Sequence, residues 1–338
     1  MKIAIHHRRG SFSDRWISYC EKNNIDYKVV NAFDNDIVEQ VKSCDAFMWH
    51  HHHSHFKDVI AAKRILFALE HAGVKIFPDF KTGWHFDDKV AQKYLLEAIN
   101  APLVPSYVFY EKEQAIDWAN HTSYPKVFKL KGGAGATNVK LIRTQTEALK
   151  LINKAFGQGF AQFDRLNNFK ERYNKYKNGQ DTLLGVAKGI GRLAIPTNFG
   201  KQQPPEKGYV YFQDFILNDG FDIRVVVING EKAAAEKRFV RENDFRASGS
   251  GKFSYEGISS QVIKESFNIA NRLNLQSVAF DFVVDDSGNP LVIEMSYGFG
   301  TEGLNNVPGY WDHNFDWFEC GFNVQEWMIY EFIKELDA

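Results

Sequence analysis

The sequence predicts a chain of mixed class, α/β at its N-terminus and α+β beyond. Three observations predict this. Over residues 1–80, strand-like runs at Lys2–His6, Asp26–Asn31, Asp45–His50 and Val74–Pro78 alternate with helix-like stretches such as Lys57–His71. That alternation argues for a parallel sheet covered on both faces. From Tyr209 the pattern turns β-rich, with YVYFQDFIL, FDIRVVVING and EKAAAEKRFV in succession, and Asn229-Gly230 between the last two is a strong hairpin signal. A helix expected over Ser260–Leu273 then leads to two more strands, VAFDFVVDD and PLVIEMS, joined by a turn at residues 286–289. The expected division is 1–85, 86–208 and 209–338.

The stretch from Asp87 to Ile142 supplies the middle lobe. Asp87, Asp88 and Lys89 open a helix, since Asp is a good N-cap, and Val90, Tyr94, Leu95 and Ala98 are expected on its apolar stripe. Lys126–Leu130 and Asn138–Ile142 read as a hairpin around a Gly-rich turn. Residues 160–208 are polar and lysine-rich, with Phe163, Phe169, Tyr173 and Tyr176 near helical spacing. They read as an amphipathic helical insertion packed on one lobe, or as an arm for a partner or phosphate. The tail, GYWDHNFDWFECGFNVQEW and beyond, is aromatic and closes on a helix.

Composition narrows the function classes. The 338 residues are 44% hydrophobic and 25% charged, as in globular proteins, and a net charge of -1 gives no field to attract nucleic acid or anionic lipid. Cys20, Cys44 and Cys320 are too few and too scattered for a disulfide framework or a zinc knuckle. No run is apolar enough to span a bilayer, and the N-terminus reads as a strand with no secretory segment. A cytoplasmic location is the expectation, and a homodimer is left open.

Four groups of residues could carry chemistry. The turn Lys129 to Thr137, with Gly132, Gly133 and Gly135, could bring backbone N–H groups to a phosphate, or could be a plain hairpin turn. It is neither a P-loop nor a dinucleotide-binding turn. Asp281 and Glu294 lie in apolar runs on consecutive strands, with Ser296 two residues on. Burying such carboxylates costs several kcal/mol, on the order of a desolvation penalty, unless a cation is near. Gln213, Asp214, Phe215 and Ile216 could present strand backbone to an adenine edge, Asp222 could bind ribose, and Arg224, Arg238 and Arg246 could clamp a phosphoryl group. The run His50 to His55 could converge on alternate residues His51, His53 and His55 as a metal site, could face substrate, or could be a solvated loop. Arg8 and Arg9 would suit an anionic substrate.

Taken in order, these pieces resemble the ATP-grasp superfamily, over residues 1–310. The order runs from Asp-Lys opening a helix, through Lys with a Gly-rich hairpin, Gln-Asp-x-Ile, Asp-x-Arg and Arg followed by Asp-Phe-Arg, to Asp with Glu-x-Ser. The likeness is to carboxylate–amine or carboxylate–thiol ligases, of the ribosomal-protein-S6 glutamate ligase-like and D-alanine–D-alanine ligase-like types. It implies a pre-ATP-grasp α/β lobe and two α+β lobes clasping ATP. It implies an ADP-forming ligase that makes an acyl phosphate and passes it to an amine, with ATP and one or two Mg²⁺. Lys89, Lys129, Gly132 to Thr137, Gln213 to Ile216 and Asp222 would bind nucleotide. Asp281, Glu294 and Ser296 would bind metal, Arg224, Arg238 and Arg246 would act on the phosphoryl group, and Arg8, Arg9, His51 and His53 would meet substrate. Ser296 departs from the family's usual Asn. Phosphotransfer without ligation, or nucleotide binding without chemistry, are the alternatives. The aromatic tail resembles those of ATP-grasp proteins linked to surface polysaccharides, which suggests small, sugar-linked substrates.

Overall fold

The computed structural model describes residues 1–133, 138–161, 176, 182, 204–242 and 244–337. The chain forms two compact units, one of Met1–Phe86, Tyr94–Leu103 and Ile216–Ala338, the other of Asp87–Lys93 and Val104–Phe215.

The larger unit opens with the expected parallel sheet. Strands β1 (Lys2–His6), β2 (Asp26–Val30), β3 (Ala46–Trp49) and β4 (Lys75–Phe77) lie in the order β2-β1-β3-β4, all parallel. Helices α1 (Ser13–Lys22), α2 (Ile37–Lys42) and α3 (Phe56–His71) make the crossovers. Both faces are buried, which is why these strands carry apolar residues in succession. Ile3, Ile5, Ala46 and Met48 enter one core with Trp16 and Phe77, while Ala4, Phe47 and Trp49 enter the other with Leu66 and Ile76. A short helix, α4 (Phe80–Gly83), is capped by Asp79, which accepts from Thr82 N.

Helix α5 (Lys89–Ala98) starts where expected, with Val90 N and Ala91 N both donating to Asp88 Oδ1 at 3.1 and 3.0 Å. Its buried stripe differs from the expected one. Lys89, Gln92 and Leu96 are buried, whereas Tyr94 is 44% exposed and Ala98 is exposed. The stripe is thus led by two polar residues that apolar periodicity cannot find.

The smaller unit is built on β5 (Ser106–Phe109), α6 (Lys112–His121), β6 (Lys126–Lys129), β7 (Val139–Ile142), α7 (Gln145–Ala155) and β8 (Val210–Asp214). Its antiparallel sheet has the order β5-β8-β6-β7. Phe128, Val210 and Phe212 pack with Ala115 and Ala119 of α6 and Ile152 of α7. Strand β8 belongs here, so the expected boundary at 208/209 falls before this strand and the observed one after Phe215. The expected helical insertion lies, but for its two ends and isolated residues such as the exposed Tyr176, outside the described residues.

The larger unit resumes with β9 (Phe221–Ile228), β10 (Lys232–Phe239), β11 (Phe253–Ser254), α8 (Ser260–Leu273), β12 (Ser277–Val284), β13 (Pro290–Ser296), β14 (Tyr310–Asp312), β15 (Trp317–Phe318) and α9 (Val324–Asp337). The antiparallel order is β13-β12-β9-β10-β14-β15, with β11 paired to β10. Asn229 and Gly230 both have positive φ, 51° and 66°, in the tight turn between β9 and β10. Glycine suits this position, because a Cβ on Gly230 would stand 1.8 Å from Asn271 Oδ1 and push that side chain aside. Helix α8 matches its expected bounds, capped by Ser259, and Val262, Ile263, Phe267 and Ala270 cover one sheet face. Each such side chain contributes roughly 1.5–3 kcal/mol on full burial, less for Ala. The opposite face gives Val226, Ile228, Ala234 and Ala279 to the core that β1 and β3 line, with Met328 and Phe332 of α9. The two sheets of this unit therefore share one core.

Candidate active site

Strand alternation builds a polar face on the seven-stranded sheet. Ile223, Val225, Ala235, Phe280 and Phe282 point to α8, so their neighbours Asp222, Arg224, Glu236 and Asp281 point the other way. Register then sets Glu294 opposite Asp281, Asp281 opposite Arg224, and Arg224 opposite Glu236, one residue from each of four strands. Asp222 lies opposite Arg238 one pleat along. A bulge after Asp281 shifts the pairing of β12 with β13 at this point.

The arginines are held by aspartates. Arg224 Nε and Nη2 donate to Asp281 Oδ1 and Oδ2 at 2.8 and 3.0 Å, and Arg238 Nε and Nη2 donate to Asp222 Oδ1 and Oδ2 at 2.7 and 2.8 Å. Arg238 Nη2 also meets Asp281 Oδ2 at 2.7 Å. Burial pushes both aspartates upward, but Arg224 and Arg238 outweigh it at Asp281 and hold that carboxyl well below the usual range. At Asp222 burial wins over Arg238 and the shift is upward. The proposed ribose contact of Asp222 therefore competes with a bidentate partner. Glu236, 2% exposed, is pushed up to about 7 by burial, against the pull of Arg224 and Arg238, and its Oε2 has no hydrogen-bond partner among the described residues. Glu236 follows three alanines, an apolar run like those around Asp281 and Glu294, but that run alone named no partner for it. The signal was its register with Arg224, visible once the hairpin turn fixes the pairing.

Ser296 sits opposite Ala279, one pleat from Glu294, and its hydroxyl donates to Gly298 O at 2.6 Å. Donation leaves the oxygen lone pairs for a cation. Among the described residues no cluster of three or more His, Cys, Asp or Glu side chains could hold a metal ion. Asp281 could join Glu294 and Ser296 around a Mg²⁺ ion, which needs only one or two carboxylates beside phosphates and water, only by giving up an arginine, since Arg224 and Arg238 engage both its oxygens. Arg246 lies in the loop after β10 and not on a strand of this face. Asp244 holds it, at 3.0 Å from Oδ1 and 2.9 Å from Oδ2 to Nε and 2.6 Å from Oδ2 to Nη2.

In the smaller unit, β6 delivers Lys129 beside β8. Lys129 is 4% exposed and its Nζ donates to Gln213 Oε1 at 2.6 Å, while Gln213 Nε2 donates to Ser106 Oγ at 3.0 Å. Lys126 Nζ reaches Asp214 Oδ1 at 2.6 Å. Lys89 comes to the same hairpin from α5, donating from Nζ to Gly133 O at 2.9 Å, and Gly133 N donates to Asp87 Oδ1 at 2.8 Å. Gly133 has φ 104°, a conformation that favours glycine. Gln213 to Ile216 run through the end of β8 to the point where the chain leaves this unit. Gly135 and Thr137 lie outside the described residues. Asp87, read in the sequence only as part of the helix start, thus has a contact with the hairpin that the sequence did not indicate. Glu206 and Tyr209 escaped assignment in the sequence, although Tyr209 accepts from Lys131 N at 2.8 Å and donates to Glu206.

The histidine run does not stay extended, so His51, His53 and His55 do not converge as alternate residues. His51 N bonds Trp49 O and His55 N bonds His52 O, which coils the segment. His50 and His51 are buried, and burial lowers His51 to about 3. Arg8 Nη1 donates to the buried Asp58 at 2.7 Å, and Arg9 is exposed.

Comparison with known proteins bears on the fold. The RimK-like ATP-grasp domain family matches residues 206–310, and the ATP-binding domain family of the carbamoyl-phosphate synthase L chain matches residues 88–179. The ribosomal protein bS6–L-glutamate ligase of Escherichia coli is 31% identical over 135 residues, which are 38% of this chain and 45% of that protein. The chain thus spans about half the length of the curated relatives it matches. Among solved structures, a RimK domain protein ATP-grasp from Sphaerobacter thermophilus superposes with TM-score 0.57 at 14% identity, covering 98% of this chain and 99% of the other. D-alanine–D-alanine ligase from Bacillus anthracis gives 0.50 at 14%, covering 88% and 86%. The chain has the ATP-grasp fold.

Proposed function

We propose that this ATP-grasp chain is an ADP-forming carboxylate–amine ligase. The observation that carries the reading is the polar row of Glu294, Asp281, Arg224 and Glu236, all within the segment that matches the RimK-like domain. A carboxylate oxygen attacks the γ-phosphorus of ATP, and ADP leaves. An amine nitrogen then attacks the acyl phosphate, loses a proton and displaces inorganic phosphate. Phosphoryl transfer of this kind is catalysed by positioning and charge neutralisation.

Each residue then has a role. Arg238 and Arg224, fixed by Asp222 and Asp281, present guanidinium N–H groups to phosphoryl oxygens. Lys89 and Lys129, with the backbone of Gly132 and Gly133, take nucleotide phosphates, and Gln213 to Ile216 take the base. Asp222 is better placed to orient Arg238 than to bind ribose, since both its oxygens are engaged. Mg²⁺ on Asp281, Glu294 and Ser296 would offset phosphate charge. Arg246 approaches the phosphoryl group only if its loop releases Asp244. The substrates are small carboxylic acids and amines, sugar-linked amines among them, met in the cytoplasm. Three free cysteines suit that compartment.

The test is ADP release against a matrix of carboxylates and amines, with products read by mass. Hydroxylamine should trap the acyl phosphate as a hydroxamate, and Glu294→Ala should abolish ADP release while leaving the fold intact. Normal turnover in that variant would sink the metal assignment. One observation favours a second reading, nucleotide binding without chemistry: both arginines already neutralise Asp281. Tight nucleotide binding with no turnover of any pair would establish it.

A further inference from the structure

Strand alternation gives the sheet of the smaller unit two faces. Lys129, Tyr211 and Gln213 lie on one. Lys126, Phe128, Phe212 and Asp214 lie on the other, where Phe128 and Phe212 pack with Ala115 and Ala119 of α6 and Ile152 of α7. Asp214 therefore points away from Lys129 and Gln213. A base lying against those two residues would meet the backbone of Asp214 and not its carboxylate.

What the carboxylate meets is Lys126. The two residues are register partners on β6 and β8, and Lys126 Nζ donates to Asp214 Oδ1 at 2.6 Å. Lys126 is 5% exposed, and its Nζ lies 5.4 Å from the centre of the Tyr107 ring and 6.0 Å from that of Trp118. The Tyr107 hydroxyl also donates to Asp214. Trp118 is in turn held against Tyr107 at 5.0 Å, Phe109 at 5.3 Å and Phe212 at 5.0 Å.

The grip falls at the end of a strand. Asp214 closes β8, and its N–H donates to Pro105 O at 2.9 Å. Phe215 and Ile216 follow, where the chain leaves this unit. Stability alone gives no reason for an ammonium here, because a buried ion pair is often no more stable than apolar residues of the same volume. What the pair supplies beyond an apolar contact is a tie of fixed length and direction.

We propose that Lys126 is a positioning residue. Acting through Asp214, it sets the course of the backbone from Gln213 to Ile216, and with it the fit of that segment to an adenine edge. The proposal rests on the ligase reading above, in which this segment takes the base. It deepens that reading, since purine selectivity is then set from behind the strand by side chains that do not touch the nucleotide. Sequence reasoning gave Asp214 to the nucleotide directly and did not single out Lys126.

Two arms test it on the full chain. In the first, amide hydrogen exchange compares the parent with Lys126→Met. Asp214→Asn, nearly isosteric and still an acceptor for Tyr107, answers if Lys126→Met does not fold. Faster exchange at Asp214 N, with the middle of β8 unchanged, supports the proposal, and parental exchange at Asp214 N overturns it. In the second arm, calorimetry gives the affinities of Mg·ATP and Mg·GTP for the parent, the two single variants and the double variant. Each single variant should bind ATP about 10-fold more weakly while GTP holds within about twofold, as loss of one charge-assisted hydrogen bond behind an adenine-reading segment predicts. The double variant should be no worse than a single one, as for two residues that act as a unit. A tie that serves the fold alone would move both nucleotides alike or neither. Equal losses on ATP and GTP, an unchanged ATP affinity, or additive losses in the double variant would therefore overturn the proposal. If the parent binds neither nucleotide, the ligase reading fails, and the exchange rates still decide whether Lys126 sets the strand end.

Discussion

The polar face of the larger unit and the hairpin base of the smaller unit both carry buried cations, but they hold them differently. On the sheet, Arg224 and Arg238 meet Asp281 and Asp222 across neighbouring strands, and register alone decides the pairs. At the hairpin, the contacts of Lys89 and Lys129 include neutral oxygens, a backbone carbonyl and an amide. A guanidinium has a planar fork that two carboxylate oxygens can fill, whereas an ammonium is a point charge with three movable donors. The sheet is thus a fixed electrostatic frame. The bonds of the hairpin base to neutral oxygens can be exchanged for a ligand at small cost.

The sharpest way to break that comparison is to remove one partner of the frame. Arg238→Met should strand Asp222 as a buried carboxylate, leave Asp281 to Arg224 alone, and lower stability by about 3–5 kcal/mol, the usual penalty for half of a buried pair. Urea unfolding at neutral pH measures it. A loss under about 1 kcal/mol would mean that water already reaches the aspartates and that the frame is not fixed.

Glu236 gives the next largest effect, and its sign is opposite to that of an ordinary carboxylate. Its folded value is raised to about 7, above a usual value near 4.5. The folded chain therefore holds a proton that the unfolded chain releases, and stability falls as pH rises from about 4.5 to about 7. Glu236→Gln should remove that slope. Relative to the parent, the variant should gain on the order of 3 kcal/mol between pH 4.5 and pH 8. Parallel stability curves for the two proteins across that range would show that Glu236 is ionised throughout.

These two residues also mark how far the sequence could be read. The parallel strands, the hairpin at Asn229-Gly230 and helix α8 were legible because apolar runs, turn residues and caps are local signals. Asp281 and Glu294 were legible as carboxylates set in apolar runs. Glu236 lay in a run of the same kind, yet only the pairing of β10 with β9 tells that it opposes Arg224. The same limit explains Asp222, whose partner Arg238 is 16 residues away on the facing strand. It also explains α5, where Lys89 is buried against the hairpin and apolar periodicity pointed to Tyr94. At the histidine run, spacing suggested an extended segment, but the backbone coils after Trp49 and buries His50 and His51.

The hairpin base supplies the third test. Lys129→Met keeps the length and the apolar stem but removes the 2.6 Å donation to Gln213 Oε1. A hydrogen bond from a charged donor is worth about 1.5–3 kcal/mol, so the variant should lose about 2 kcal/mol of stability, less than Arg238→Met. Under the ligase reading it should also bind ATP about 10-fold or more weakly, as isothermal titration would show. Equal stability losses in the two variants would erase the distinction between a paired frame and an exchangeable tie.

Asp88 is the smallest lever and the most local. Its Oδ1 accepts from Val90 N and Ala91 N, two of the donors that a helix start leaves without partners. Helix α5 also carries Lys89 at its first position, so the cap sets where the ammonium enters the hairpin. Asp88→Ala should cost about 1 kcal/mol, the usual loss for an N-cap. Asp88→Asn should restore most of that, because the amide oxygen can still accept. The comparison makes a further demand on this pair. If the hairpin tie is exchangeable, fraying the first turn should weaken the contact of Lys89 with Gly133 and leave the aspartate-held arginines untouched. Amide hydrogen exchange would show faster exchange at Lys89 N, which bonds Lys131 O at 2.9 Å, with no change along β9 and β10. Faster exchange along those strands as well would show that the frame and the hairpin open together.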